Sequence, residues 1–223
     1  MTDAAPRRAG SRRRTAVLIS GRGSNLEALV RAAAEPGFPA AISLVLSNRP
    51  AAPGLAFARA AGVAAATIDH RPYGPDRVAH EQAIDQALLA AGVELVCLAG
   101  YLRLLTPYLV GRWAGRMLNI HPSLLPAFPG LHTHERALAT GARLHGCTVH
   151  LVTERMDEGP ILAQAAVPVL AGDTAATLAA RVLVQEHRIY PMALAAAAGG
   201  PQPTAADAKA ALANPLPDPR CAP

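Results

Sequence analysis

Short apolar runs alternate along this chain with segments whose apolar residues recur every three to four positions. Runs at Ala16–Ile19, Ile42–Leu46, Val63–Ile68, Leu95–Ala99 and Met117–Ile120 have the length and composition of buried strands. Between them, Asn25–Ala34 repeats Leu26, Leu29 and Val30 at helical spacing, and a second helix is expected around Gly54–Ala61. Pro75–Ala91 reads as a third, with Ala79, Ala83, Ala87 and Ala90 near one stripe. Gly146–Val152 and Ile161–Val169 add two more strands. A last helix, N-capped by Asp173 or Thr174, runs through Leu178, Val182 and Tyr190. Strands alternating with helices predict right-handed β-α-β units, hence a doubly wound α/β domain whose mostly parallel sheet has helices on both faces. The domain is expected over residues 15–199. Residues 1–14 read as a disordered arginine-rich arm. Residues 200–223 read as a Pro/Ala-rich tail with a short helix near Ala205–Leu212.

Composition narrows this picture. The chain has 223 residues, 51% of them hydrophobic and 17% charged, which suits one globular core and excludes a mainly disordered protein. Its formal charge of +5 invites a nucleic-acid reading. That charge is concentrated in the arm, where Arg7, Arg8, Arg12, Arg13 and Arg14 face one acid, Asp3. The remaining body is nearly neutral, so no nucleic-acid partner is expected, and the arginines read as a solvated arm. Cys97, Cys147 and Cys221 form no C-x-x-C, which predicts neither a disulfide scaffold nor a zinc knuckle and fits a reducing cytoplasm. The apolar stretch after the arm ends at Ser20-Gly21-Arg22, too soon for a signal peptide. No window reaches the roughly 18 apolar residues of a membrane span.

Three segments carry chemistry. Ser20-Gly21-Arg22-Gly23-Ser24-Asn25 follows the first strand and opens the first helix, where glycines admit a ligand and free N–H groups attract phosphate. It lacks the third glycine of a dinucleotide fingerprint and the Gly-Lys-Ser/Thr of a P-loop. A plain strand-to-helix turn capped by Ser24 or Asn25 explains it equally well. In Met117–Pro122 the strand period places Asn119 and His121 on one face, ending at the strand's carboxyl end, where open α/β sheets bind ligands. An amide donor beside an imidazole suits oxyanion stabilisation and proton transfer. Met156-Asp157-Glu158-Gly159-Pro160 forms a turn between strands, and either acid could orient His121. His132, His134, His145 and His150 lack the spacing of a metal site and read as hydrogen-bonded structure.

Together the segments AVLISGRGSNLEAL, LAGYLRLLTP, NIHPSLLPAFPGLHTH, VHLVTERMDEGPILAQAAVPV and QEHRIYP resemble the folate-dependent glycinamide ribonucleotide formyltransferases of purine synthesis. The resemblance runs from about Thr15 to Met192. It implies a Rossmann-like formyltransferase fold and transfer of the formyl group of 10-formyltetrahydrofolate to the ribonucleotide's primary amine. It implies that Asn119, His121 and Asp157 are catalytic. It further implies that Gly23, Ser24 and Asn25 hold the phosphate, with Glu186 at the ribose. Leu102, Arg103, Leu104 and Leu105 would line the folate pocket through their backbone, together with Asn119, and Arg77 would lie near the folate tail. The expected partners are these two small molecules, with neither metal nor ATP, in a monomer or homodimer. Glu158 departs from the family pattern, which has a small residue there, and Thr148 stands where Ser is usual. Rival readings are a 10-formyltetrahydrofolate hydrolase or other formyl-folate enzyme, for which the segments outside 15–199 look too short, and a metal hydrolase built on His132, His134 and Asp157.

Overall fold

The computed structural model describes residues 11–200. Seven strands, β1 (Arg13–Ile19), β2 (Ala40–Ser47), β3 (Ala65–Thr67), β4 (Leu95–Leu98), β5 (Met117–His121), β6 (Leu144–Leu151) and β7 (Ile161–Pro168), form one sheet in the order β3-β2-β1-β4-β5-β6-β7. The first five are parallel, and β6 runs antiparallel to both its neighbours. The helices are α1 (Ser24–Ala34), α2 (Pro53–Ala60), α3 (Arg77–Ala90), α4 (Pro107–Arg112), α5 (Thr133–Ala139) and α6 (Ala175–Ala197). The doubly wound, mostly parallel architecture expected from the sequence is therefore present.

Strand alternation divides the core. In β1, Val17 and Ile19 pack with Leu26 and Leu29 of α1, Leu55 of α2 and Val182 of α6, whereas Ala16 and Leu18 pack with Ile84 and Leu88 of α3 and Leu109 of α4. Both faces of the central strands are thereby buried, as a parallel sheet requires. Tyr190 of α6 is wholly buried, and its hydroxyl lies 3.0 Å from Leu98 O and 3.2 Å from Leu118 O, fastening α6 to β4 and β5. Thr174 caps α6 by accepting from Thr177 N, while Asp173 instead holds Arg181 through two 2.8 Å contacts. No described helix is long and apolar enough to cross a membrane.

Three expectations need correction. The domain begins before residue 15, because Arg13 and Arg14 already pair with Ala40 and Ala41 in the sheet. Arg12 and Arg14 are not a solvated arm but donors to helix ends: Arg12 gives hydrogen bonds to Ala33 O in the last turn of α1 and to Ala40 O, and Arg14 gives two to Ala91 O at the end of α3. Both satisfy carbonyls that a helix terminus leaves open. Second, the buried stripe of α3 is not alanine. It comprises His80, Glu81, Ile84, Asp85 and Leu88, three of them polar, and Ala90 is exposed. Third, α4 and α5 had no sequence signal, since six and seven residues give the helical period too few repeats to register. The arm's first ten residues and the helix expected near Ala205–Leu212 lie outside the described residues.

Arg12 provides a direct test of the corrected boundary. Arg12→Ala removes the side-chain donors to Ala33 and Ala40 and is expected to cost about 1 kcal/mol, or roughly 2–4 °C in thermal midpoint. An unchanged midpoint would return Arg12 to the solvated arm.

Candidate active site

The strand order reverses at β1, whose neighbours β2 and β4 are reached by crossovers in opposite directions, and it is at the carboxyl ends beside such a reversal that open α/β sheets bind ligands. Ser20, buried just after β1, ties together the loops that meet there. Its N–H donates to Gly100 O at 3.0 Å, its hydroxyl donates to Asn48 Oδ1 at 2.6 Å, and Leu102 N donates to its Oγ at 2.8 Å. Past it, Gly23 is the N-cap of α1 at φ 78°, a left-handed conformation glycine adopts without strain. Neither Ser24 nor Asn25 caps the helix; no side chain does. Among the described residues the amides of Gly23, Ser24 and Asn25 donate to no protein acceptor, which leaves the positive end of α1 open. The Asn25 side chain is committed elsewhere: Nδ2 donates to Glu186 Oε2 at 2.6 Å, in the buried seam between α1 and α6. Burial raises the Glu186 carboxyl above the usual carboxylate range, and the Asn25 bond partly offsets this.

At the end of β5, antiparallel pairing with β6 sets Asn119 opposite His150 and His121 opposite Thr148. Asn119 Nδ2 lies 3.2 Å from His150 Nε2, and His150 Nδ1 lies 2.9 Å from Leu151 O. A carbonyl only accepts, so Nδ1 carries the proton and Nε2 accepts from Asn119. The pairing therefore assigns the neutral tautomer, in keeping with the burial that lowers the His150 pKa. His121 Nε2 donates to Phe128 O at 3.0 Å, while its Nδ1 lies 3.5 Å from Asp157 Oδ2. Asp157 Oδ2 also accepts from Gly130 N at 2.8 Å, and Oδ1 lies 3.7 Å from His150 Nε2. Of the two acids proposed to orient His121, the fold selects Asp157. Glu158 is exposed, its carboxylate 3.5 Å from Arg155.

Both residues that fasten His121 sit in unusual backbone. Phe128 has φ 53° and Asp157 φ 59°, left-handed values that non-glycine residues adopt at a cost of order 1–3 kcal/mol. The turn carrying Asp157 is pressed against β6 at Gly159, where a Cβ would stand 1.7 Å from Leu151 O, so only glycine fits. Thr148 supplies a further brace: its hydroxyl donates to Ser123 O at 2.7 Å and accepts from Leu125 N and Gln164 Nε2. The substitution of Thr for Ser leaves the hydroxyl fully used.

The other histidines do not converge on one ion. His132 pairs with Glu135 at the surface, whereas His134 Nδ1 meets the buried His145 Nε2 at 3.1 Å. Among the described residues no three His, Cys, Asp or Glu side chains are grouped to hold a metal.

The loop leaving β4 begins beside Asn119, its partner in register being Leu98. Leu102 N is consumed by Ser20, but the peptide groups of Arg103, Leu104 and Leu105 make no hydrogen bond among the described residues. Leu102 and Leu104 expose 65% and 59% of their surface. Arg77, the first residue of α3, is exposed with Asp76 capping beneath it.

Against known proteins, residues 13–194 match the formyl transferase model. The chain belongs to the formyl transferase family. It is 59% identical to a phosphoribosylglycinamide formyltransferase structure from Brucella melitensis, with a TM-score of 0.81, covering 86% of this chain and 98% of that one. It is 45% identical to the Escherichia coli phosphoribosylglycinamide formyltransferase over 82% of this chain and 86% of the relative. To the human trifunctional purine biosynthetic protein adenosine-3 it is 50% identical over 84% of this chain, yet it spans only 18% of that protein's length.

Within the formyl transferase domain, sequence reasoning missed His150 and Phe128 as partners of the central residues. The β5–β6 register was the missing signal for His150. Nothing in the sequence announces that a main-chain carbonyl at Phe128 will hold an imidazole.

His145 gives this region a pH signature. Burial, with a smaller contribution from neighbouring His134, lowers its pKa from 6.5 to about 4. Between those values the unfolded chain binds a proton that the folded one refuses, so stability falls as pH drops from about 6.5 to about 4. His145→Gln should flatten part of that decline in thermal midpoints taken from pH 7.5 to 4. An equally steep decline would place the acid sensitivity elsewhere.

Proposed function

We propose that this chain transfers the formyl group of 10-formyltetrahydrofolate to the primary amine of glycinamide ribonucleotide, as a soluble cytoplasmic enzyme of purine synthesis acting on two small anionic substrates. The observation that carries the proposal is the convergence of Asn119, His121 and Asp157 at the carboxyl end of β5, in a formyl transferase domain whose α1 amides stand open nearby in the topology. In this reading the amides of Gly23, Ser24 and Asn25 receive the ribonucleotide phosphate. Asn25 takes part through its backbone, because its side chain holds Glu186 at the ribose. The open peptide groups of Arg103, Leu104 and Leu105, with exposed Leu102 and Leu104 around them, receive the flat heterocycle of the folate. Arg77 lies toward its anionic tail.

The substrate amine attacks the formyl carbon on N10 and generates a tetrahedral oxyanion. Asn119 Nδ2 spends one proton on His150 and retains the second for that oxygen. The His121 ring presents an acceptor to each nitrogen, Phe128 O at Nε2 and the Asp157 carboxylate at Nδ1, so its imidazolium form donates at both ends. With Nε2 held by a carbonyl, Nδ1 and Asp157 form the edge through which a proton passes, by way of water, from the attacking amine to departing N10. The formyl donor is already activated, so this path calls on neither ATP nor a metal. Donors fixed before reaction are worth most when one is removed, typically about 10²–10³ in rate.

Formation of formylated ribonucleotide from the two substrates, followed spectrophotometrically, tests the proposal. No ribonucleotide-dependent turnover overturns it, and formyl-folate cleavage by water alone favours a hydrolase. Asp157→Asn is expected to lose at least about a hundredfold in kcat while ribonucleotide affinity stays near wild type. A rate near wild type would remove Asp157 from proton transfer.

A further inference from the structure

Helix α3 buries a polar stripe where a helix packed on a sheet ordinarily buries apolar side chains. Each polar member holds a different piece of the rim. His80 Nε2 donates to Ile68 O at 2.8 Å, at the exit of β3. Asp85 accepts from Trp113 Nε1 at 2.9 Å, Arg112 Nε at 3.0 Å and Tyr108 Oη at 3.3 Å, and so secures α4. Glu81, 3% exposed, lies between them with no ion pair among the described residues. Both its oxygens go to one residue: Oε1 accepts from Thr106 N at 2.8 Å, and Oε2 accepts from the Thr106 hydroxyl.

Thr106 is the N-cap of α4, the position where a threonine hydroxyl ordinarily accepts from the helix's own first turn. Here it makes no such bond. Its hydroxyl has been turned onto Glu81, at the expense of the cap and of burying a carboxyl group that makes no ion pair among the described residues. What those two bonds secure is the end of the loop 102–106. The other end is secured by Leu102 N on the buried Ser20 hydroxyl. Between the two clamps lie Arg103, Leu104 and Leu105, whose peptide groups are unpaired among the described residues.

We propose that Glu81 is a positioning residue for the formyl donor: by holding both polar groups of Thr106 it presets the unpaired peptide groups of 103–105 to meet a planar heterocycle carrying adjacent donors and acceptors. Glu81 itself touches no substrate. The inference rests on the folate reading above. A loop ordered before binding loses less freedom on meeting its ligand, so the clamp acts on affinity for one substrate and not on the chemical step.

Three variants test this: Glu81→Gln, Thr106→Val and the double substitution, each measured for kcat, both KM values, direct binding of 10-formyltetrahydrofolate by calorimetry, and thermal midpoint. Each single change is expected to raise KM and the dissociation constant for the formyl donor about tenfold. The ribonucleotide KM and kcat should stay within about twofold. The double variant should be little worse than the poorer single, since both changes weaken the same link. Unchanged donor affinity in the single variants, or KM values for both substrates rising together with a lowered midpoint, overturns the proposal and leaves Glu81 merely structural. Should Glu81→Gln fail to fold, Thr106→Val carries the test, because it removes one hydroxyl at the loop's end. Wild-type protein that binds the donor yet formylates no ribonucleotide would defeat the functional reading, while the binding measurements still judge the clamp.

Discussion

A polar side chain taken out of water must find a partner, and in this protein the partners of the buried polar groups are the loops that make the site. Ser20, Glu81 and Thr148 all lie inside the domain, and each is satisfied by the main chain of a loop on the carboxyl side of the sheet. Leaving any one unpaired costs about 1–3 kcal/mol, a large share of a domain's net stability. The loops therefore cannot relax away from these positions without exposing that cost. Apolar packing of α1, α2 and α6 on one face and α3 and α4 on the other builds the platform. The polar groups decide where its rim stands.

The same constraint explains the central constellation. Antiparallel return of β6 against β5 is what places His150 opposite Asn119, and the turn back into β7 is what brings Asp157 to His121. The mixed sheet thus sets where Asn119, His121, His150 and Asp157 meet. Gly159 lets the turn close against Leu151, and the left-handed backbone at Asp157 and Phe128 is tolerated because Gly130 N and the His121 ring tie both down. Strain maintained by surrounding bonds at the residues that hold an imidazole is characteristic of preorganised sites.

How much of this the sequence carries depends on the range of the interaction. Strands such as Ala16–Ile19 and Leu95–Ala99 were legible because a short apolar run needs no partner to be recognised, and the shared face of Asn119 and His121 followed from the strand period alone. The buried face of α3 was misread because Ala79, Ala83 and Ala87 repeat at helical spacing, whereas His80, Glu81 and Asp85 look like a solvated face until Ile68, Thr106 and Trp113 are seen to receive them. His150 and Phe128 were illegible for a related reason. Their roles depend on strand register and on one carbonyl's direction, neither of which leaves a local pattern. Arg12 and Arg14 resembled their neighbours in a basic run, and only the helix ends at Ala33 and Ala91 distinguish them.

This last point bears on how the protein handles anions. A net charge of +5 would suggest a surface built for polyanions, but the arginines within the described residues are widely spent on internal work. Arg12 and Arg14 close helix ends, Arg71 grips Asp69, Arg112 meets Asp85 and Arg181 meets Asp173. At the start of α1 the open peptide amides add a positive potential of their own. Peptide donors are fixed in direction and carry no mobile side chain to be ordered, so they select an anion by its position. A site made this way suits a single phosphate presented in one geometry.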